Sequence, residues 1–238
     1  MSAAIKLSRP ERLAEVAIDE EIDERRAIIE ACLKMNSSGL NQGVAGNISV
    51  RWKEGLLITP SGIPYDKLCP EDIVFMENDG GYQHELCPSS EWRMHRDILA
   101  ARAEVGAVLH AHSCYATAFA ICGMEIPAVH YMIALAGGSV IRCARYETYG
   151  TEELSQAVLE ALQDRNCALI ANHGMVALGR DLDDAVWRAV ELEALCKQFA
   201  VALQIGQPLI LDDAEVKKNI EKFNSYGLRR KPRNSDES

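Results

Sequence analysis

The chain has no CxxC pair among its eight cysteines, no apolar run near the roughly eighteen residues that span a bilayer, and no basic surplus. Each absence excludes something. Most of the cysteines lie in apolar surroundings, so they read as reduced core thiols of a cytoplasmic protein. A formal net charge of −10 and a pI near 5.1 argue against non-specific nucleic-acid binding, which needs a basic surface. The opening stretch from Met1 to Lys6 lacks the apolar core of a signal peptide and leads into Glu11 and Arg12. No Walker loop or dinucleotide fingerprint occurs, so nucleotide binding is not indicated. Neither a membrane nor a nucleic acid is expected as a partner.

What is present suits one α/β domain. The 238 residues, 48% hydrophobic and 25% charged, are enough for a substantial core, and no repeat or long linker divides them. Residues 11–38 carry Ile22, Ile29, Leu33 and Met35 at helical spacing, with Gly39 as a C-cap. Asn47 to Trp52 alternates, with Ile48, Val50 and Trp52 on one face; Lys53 to Gly55 turns the chain, and Leu56 to Ile58 returns. Asp72 to Met76 reads as a further strand before a turn at Gly80 and Gly81. Ser89 or Ser90 is predicted to cap a helix running to about Ala103. Helices are also predicted from Ser113 to Cys122, from Thr151 to Asp164, from Asp181 onward, and from Asp213 to Asn224. The expected fold is a single layered domain over 1–238, with a largely antiparallel mixed central sheet flanked by helices. Residues 213–228 are expected to form a mobile C-terminal lid and 229–238 a disordered tail.

The chemistry gathers at a few places. His110 and His112 end the apolar run Val105 to Leu109, and i, i+2 side chains of a strand share a face. His173 ends a second apolar run, Cys167 to Ala171, with Met175 to Leu178 as a strand beside it. If the two strand ends meet, three imidazoles converge as in an open zinc site, where three protein ligands leave a position for water or substrate. Buried, hydrogen-bonded histidines would give the same pattern. Three segments could hold an anion without positive charge. Gly46 and Asn47 offer flexible backbone and an amide; Thr59, Ser61 and Gly62 offer hydroxyls and a closely approaching NH; Ser89 and Ser90 sit where helix NH groups are unpaired. Taken singly, each is equally a turn or a cap. Around a metal site they point together to a small phosphorylated substrate. Glu91, in the first turn after the two serines, is either a helix-dipole acid or a general base beside a metal.

From about Ala27 to Gly227 the chain resembles the class II aldolase and adducin family. The runs Leu40–Gly43, Ala45–Ser49, Ile58–Tyr65, Pro88–Trp92, Ile126–Met132 and Glu221–Gly227 carry the resemblance. It implies a zinc-dependent aldolase that reversibly cleaves a ketose 1-phosphate to dihydroxyacetone phosphate and a small aldehyde. His110, His112 and His173 would then ligate one zinc ion per subunit, joined by Glu91 in the empty enzyme. Gly46, Asn47, Ser61, Gly62, Ser89 and Ser90 would hold the phosphate. Glu91 would move the carbon-bound proton, and Tyr131, reaching a neighbouring subunit's site, the proton on the aldehyde oxygen. That implies a homotetramer with interfacial active sites. Tyr149 would line the far end of the pocket, where a relative carries another aromatic residue, and Phe223 and Tyr226 would belong to the lid. His84, His95 and His130 match no ligand and are expected to be structural. The same fold also hosts sugar-phosphate 4-epimerases, methylthioribulose-1-phosphate dehydratases and non-catalytic adducin-like scaffolds. Epimerase relatives carry Asp where Glu91 stands, and the intact histidine triad speaks against a scaffold.

Overall fold

The computed structural model describes the backbone of residues 9–225 and side chains from 20 to 223. Tyr226, the predicted tail 229–238 and the end of the predicted lid lie outside the described residues.

Helix α1 (Arg9–Ser37) opens the fold and buries Ile28, Ala31, Cys32 and Met35, a stripe at helical spacing. A hairpin of β1 (Asn47–Trp52) and β2 (Gly55–Ile58) follows, then β3 (Val74–Glu77). The third strand starts later than Asp72, because Pro70–Asp72 winds into a 3-10 turn. Helix α2 (Trp92–Ala101), strand β4 (Ala107–Ala111) and helix α3 (Cys114–Ile121) come next. The short strands β5 (Ile126–Pro127), β6 (Val140–Ile141) and β7 (Cys143–Ala144) lie around a 3-10 helix, Tyr131–Ala136. The described residues close with α4 (Glu152–Ala161), β8 (Cys167–Ile170), β9 (Gly174–Gly179), α5 (Leu182–Ile205) and α6 (Asp213–Ser225).

Seven strands form one sheet in the order β3-β2-β1-β4-β9-β8-β7, antiparallel except for the parallel pair β7 and β8. β5 and β6 pair separately. The sheet is buried on both faces, as its near-continuous apolar strands require. Ile48, Val50, Leu57, Leu109 and Met175 pack on one side with residues of α1, α3 and α5. Ile58, Val108, Val176 and Leu178 pack on the other side with Met94, Ile98 and Leu99 of α2 and Leu154 and Val158 of α4. Each such side chain contributes roughly 1.5–3 kcal/mol on burial. Among the described residues, no helix is long and apolar enough to cross a membrane.

Candidate active site

Strand β4 places the first two histidines. Leu109 faces the α5 side, so Val108 and His110 face α2. His110 is fully buried opposite Asn47 of β1. His112 follows two residues on. His173 arrives differently from the strand-end expectation. Ile170 pairs with Gly174, so the β8–β9 ladder closes before Ala171, and His173 sits in a three-residue turn. Asn172 makes that turn by adopting φ 54°, a left-handed conformation that asparagine tolerates better than most residues. Its NH donates to the Ala120 carbonyl at the end of α3 (3.1 Å). Gly174 is required there, since a Cβ would lie 2.6 Å from the Ala111 carbonyl oxygen and 2.8 Å from the His112 ring. The three imidazoles end with ring centroids 4.8–4.9 Å apart in every pairing.

Glu91 completes the cluster. It is the N-cap residue of α2 and 4% exposed. The predicted Ser89 or Ser90 cap is thereby corrected: the Ser89 hydroxyl instead accepts from the Glu91 NH (3.3 Å), one residue too early to cap the helix. The Glu91 carboxylate lies 3.1 Å from His110 Nε2 and 3.3 Å from His173 Nε2. One ligand atom from each of Glu91, His110, His112 and His173 falls within 4.8 Å of all the others.

The electrostatics are those of a site that wants a cation. Burial by itself raises the Glu91 carboxyl, but the charges and hydrogen bonds of His110, His173 and Asn47 outweigh it and hold the group well below the ordinary carboxylate range. Burial pushes the His112 and His173 imidazoles down to about 4, and the positive charge of His110 adds to the effect. His110 goes the other way, raised by Glu91 against its own burial. Its Nδ1–H donates to the Met175 carbonyl (2.8 Å), which turns Nε2 toward the cluster. His110 Nε2 and His112 Nε2 are 2.9 Å apart. The Oε1 atom of Glu91 is buried without a hydrogen-bond partner. An orphaned carboxylate oxygen among three convergent imidazoles is the donor set of a divalent cation. The four residues therefore fit a metal.

Behind Glu91 stands a group that sequence reasoning set aside. Asn47 Nδ2 donates to Glu91 (3.0 Å), and Asn47 Oδ1 is 2.5 Å from His95 Nε2. His95 Nδ1 is 2.8 Å from Ser49 Oγ. His95 is fully buried, and its imidazole is pushed down to about 3, by burial first and then by the His110 charge, so the ring is neutral. His84 and His130 do hold backbone, as expected. His84 accepts from the Leu86 NH and meets the Glu71 carbonyl, while His130 accepts from the Met132 NH.

The three polar segments converge on the same end of the sheet. Ser49 pairs with Ile58 and the Thr59 NH donates to the Ile48 carbonyl (3.1 Å), so the same register carries Asn47 and Gly46 alongside Pro60 and Ser61. Ser61 NH donates to the Cys87 carbonyl (3.0 Å) and Ser89 NH to the Thr59 carbonyl (2.9 Å), which seats the 59–62 loop beside the 87–90 loop. Gly46 lies against β4: a Cβ there would be 2.8 Å from the His110 carbonyl oxygen. Ser61, Gly62 and Ser90 are exposed, whereas Gly46, Asn47 and Ser89 are buried.

Of the predicted aromatic residues, Tyr131 and Phe223 pack with each other. Tyr131 opens the 3-10 helix and is 51% exposed; its ring partners are His130 and Phe223, the latter stacked at 6.4 Å. Phe223, on α6, also meets Trp187 of α5 at 6.2 Å. Tyr149 is exposed. Among the described residues, none of these rings shares a ring contact with the imidazole cluster.

The chain is similar to known proteins over most of its length. The family model for the class II aldolase and adducin N-terminal domain matches residues 26–200. L-fuculose phosphate aldolase of Escherichia coli strain K12 is 47% identical over 205 residues, 86% of this chain and 95% of the relative. The 5-methylthioribulose-1-phosphate/5-deoxyribulose-1-phosphate aldolase of Rhodospirillum rubrum is 49% identical over 203 residues, 85% of this chain and 92% of the relative. A solved structure of an L-fuculose 1-phosphate aldolase superposes with a TM-score of 0.83 at 38% identity, covering 85% of this chain and 96% of that one.

Proposed function

The chain belongs to the class II aldolase and adducin family, and on that premise we propose that it is a zinc-dependent aldolase. It cleaves a ketose 1-phosphate, L-fuculose 1-phosphate or a related 5-deoxypentulose 1-phosphate, to dihydroxyacetone phosphate and a small aldehyde. One observation carries the reading: a carboxylate with an orphaned oxygen, buried among three imidazoles and bordered by the polar segments at Gly46–Asn47, 59–62 and 87–90. An adducin-like scaffold has no use for that charge arrangement. Two similarly close relatives with different named substrates, at 47% and 49% identity, leave both aldehydes within the proposal.

His110, His112, His173 and Glu91 would hold the zinc, one per chain. Once bound, the metal supplies Lewis acidity next to the substrate carbonyl, where breaking the C3–C4 bond leaves an electron pair. The remaining work falls to the chain. Backbone NH groups of Gly46 and Gly62, the Asn47 amide and the hydroxyls of Ser61, Ser89 and Ser90 hold the phosphate and so fix the distant reacting carbon. Tyr131 of a neighbouring subunit takes the C4 hydroxyl proton as the aldehyde forms. In the condensation direction the ionised Glu91, displaced from the histidines, removes the proton from the carbon that becomes C3 while the Tyr131 hydroxyl gives its proton to the aldehyde oxygen; cleavage runs the same transfers backward from the protonated acid and the tyrosinate, and exchange with solvent returns both groups to their resting forms. A homotetramer with interfacial sites would bring Tyr131, Tyr149, Phe223 and Tyr226 to the sugar end, with the C-terminal segment as a lid. Eight cysteines free of disulfides suit a reducing cytoplasm.

The test is metal analysis of the purified protein together with retro-aldol kinetics on a panel of ketose 1-phosphates. About one divalent metal per chain, and turnover that requires the phosphoester, are expected. A metal-free protein that zinc does not activate, or equal turnover of phosphorylated and unphosphorylated ketoses, overturns the proposal.

A further inference from the structure

The donor and acceptor roles behind Glu91 follow from one end of the chain of contacts. An ionised carboxylate only accepts, so Asn47 must turn its Nδ2 toward Glu91. Oδ1 then faces His95, and the short 2.5 Å contact requires the hydrogen to sit on His95 Nε2. A neutral ring with hydrogen on Nε2 has only a lone pair on Nδ1, so Ser49 Oγ donates to it at 2.8 Å. Asn47 and Ser49 are i and i+2 on β1 and share the face turned to α2, while His95 lies one turn beyond Glu91 on α2. All four residues are at most 5% exposed, so water cannot substitute for a missing partner.

We propose that His95 is a positioning residue: it locks the Asn47 amide in the orientation that presents Nδ2 to the Glu91 carboxylate. The claim rests on the proposed aldolase function for its catalytic consequence, and on the hydrogen-bond geometry alone for its structural one. Without a donor at the ε position, the Asn47 side chain can invert and bring its oxygen against a carboxylate. His95 thus acts on the reaction through Asn47. Removing an outer-shell partner of a metal-ligating group typically costs about 10–100-fold in metal affinity or activity.

The experiment is a double-mutant cycle between His95→Leu and Asn47→Ala, read as retro-aldol kcat and as cobalt(II) affinity from visible absorption. His95→Leu is expected to lower each readout about tenfold in the wild-type background. In the Asn47→Ala background it should lower them less than about threefold, because its route to Glu91 is already gone. Equal losses in both backgrounds overturn the proposal, since a purely packing role adds independently. Two conservative variants keep the test sound should the leucine variant fold poorly. Glutamine places its amide nitrogen near the ε position of a histidine ring, and asparagine near the δ position. His95→Gln should therefore recover most of what His95→Leu loses, and His95→Asn should not. Recovery by asparagine equal to that by glutamine also overturns the proposal. A wild-type protein that binds cobalt(II) yet cleaves no ketose 1-phosphate sinks the aldolase reading instead, and the cycle is then decided by cobalt(II) affinity alone.

Discussion

The imidazole cluster and the aromatic cluster are built in opposite ways. Glu91 and His110 are almost wholly buried, and their partners Asn47, Ser49 and His95 form a continuous hydrogen-bonded group on β1 and α2. Among the described residues, Tyr131, Phe223 and Trp187 are linked by ring contacts across a short 3-10 helix, α6 and α5, and Tyr131 is half exposed. A side chain that must hold a charge at a fixed place needs the first kind of support, because a misplaced charge in a dry site is costly. One that must close on a substrate, or complete a neighbour's site, needs the second. The difference teaches that one chain carries a charged centre held by buried hydrogen bonds and an aromatic cluster left partly exposed.

The most severe test of that division removes the centre. Glu91→Gln is expected to lower retro-aldol turnover by about 10²–10⁴-fold, the usual worth of a positioned proton-transfer group. It should equally stop exchange of the dihydroxyacetone phosphate C–H with deuterated water. His110→Ala should lose the metal as well as the activity, as elemental analysis would show. A Glu91→Gln protein that still exchanges this hydrogen at the wild-type rate would leave the buried cluster without its assigned chemistry.

Most of the architecture was legible because the elements are long enough to show their period. The β1–β2 hairpin, α5 and the apolar run into His110 all lie where alternation or helical spacing puts them. Strands β5, β6 and β7 have two residues each, below the length at which alternation can be read. His173 was legible as a residue but not as a turn, because continuous apolar character from Cys167 to Ala171 hides where the β8–β9 ladder closes. At the site, His110 and His112 announce themselves by local spacing. His95 does not. Its partner Asn47 is 48 positions away, and only the pairing of β1 against α2 brings them together.

A smaller effect probes the aromatic region against the same two reactions. Tyr131→Phe keeps the ring stacked on Phe223 and removes only the hydroxyl. Cleavage of the full sugar should fall by about 10²-fold or more, while the hydrogen exchange of dihydroxyacetone phosphate stays near wild type. Loss of exchange as severe as loss of cleavage, with the metal retained, would erase the proposed separation between the two clusters. Smaller again is Ser90→Ala, at the exposed edge of the loops proposed to hold the phosphate. Losing one hydrogen bond to a charged phosphate, roughly 1.5–3 kcal/mol, lowers kcat/KM about ten- to a hundredfold. The phosphorylated substrate should suffer this loss and an unphosphorylated analogue should not.

The smallest effect concerns stability, and it separates the two regions without any substrate. In the metal-free protein His95, His112 and His173 are held below the usual imidazole range, His95 to about 3 and the other two to about 4. A histidine lowered on folding binds fewer protons in the native than in the unfolded state. Its contribution is therefore complete above the unfolded value near 6.5 and is lost as pH falls toward the folded one. His110, raised by Glu91, opposes this trend. Glu91, held low, reinforces it only below its unfolded value near 4.3. The net expectation is a melting temperature that drops as pH is lowered from 6.5 to 4.5. Buried His95 alone contributes a slope of roughly 1 kcal/mol per pH unit over that window. Thermal melts of His95→Gln should show a visibly flatter pH dependence, because glutamine does not titrate. Trp187→Phe, in the aromatic region, should melt at a different temperature but keep the wild-type slope. A His95→Gln protein with an undiminished slope would mean that acid sensitivity does not originate in the buried cluster, and the contrast between the two regions would lose its electrostatic basis.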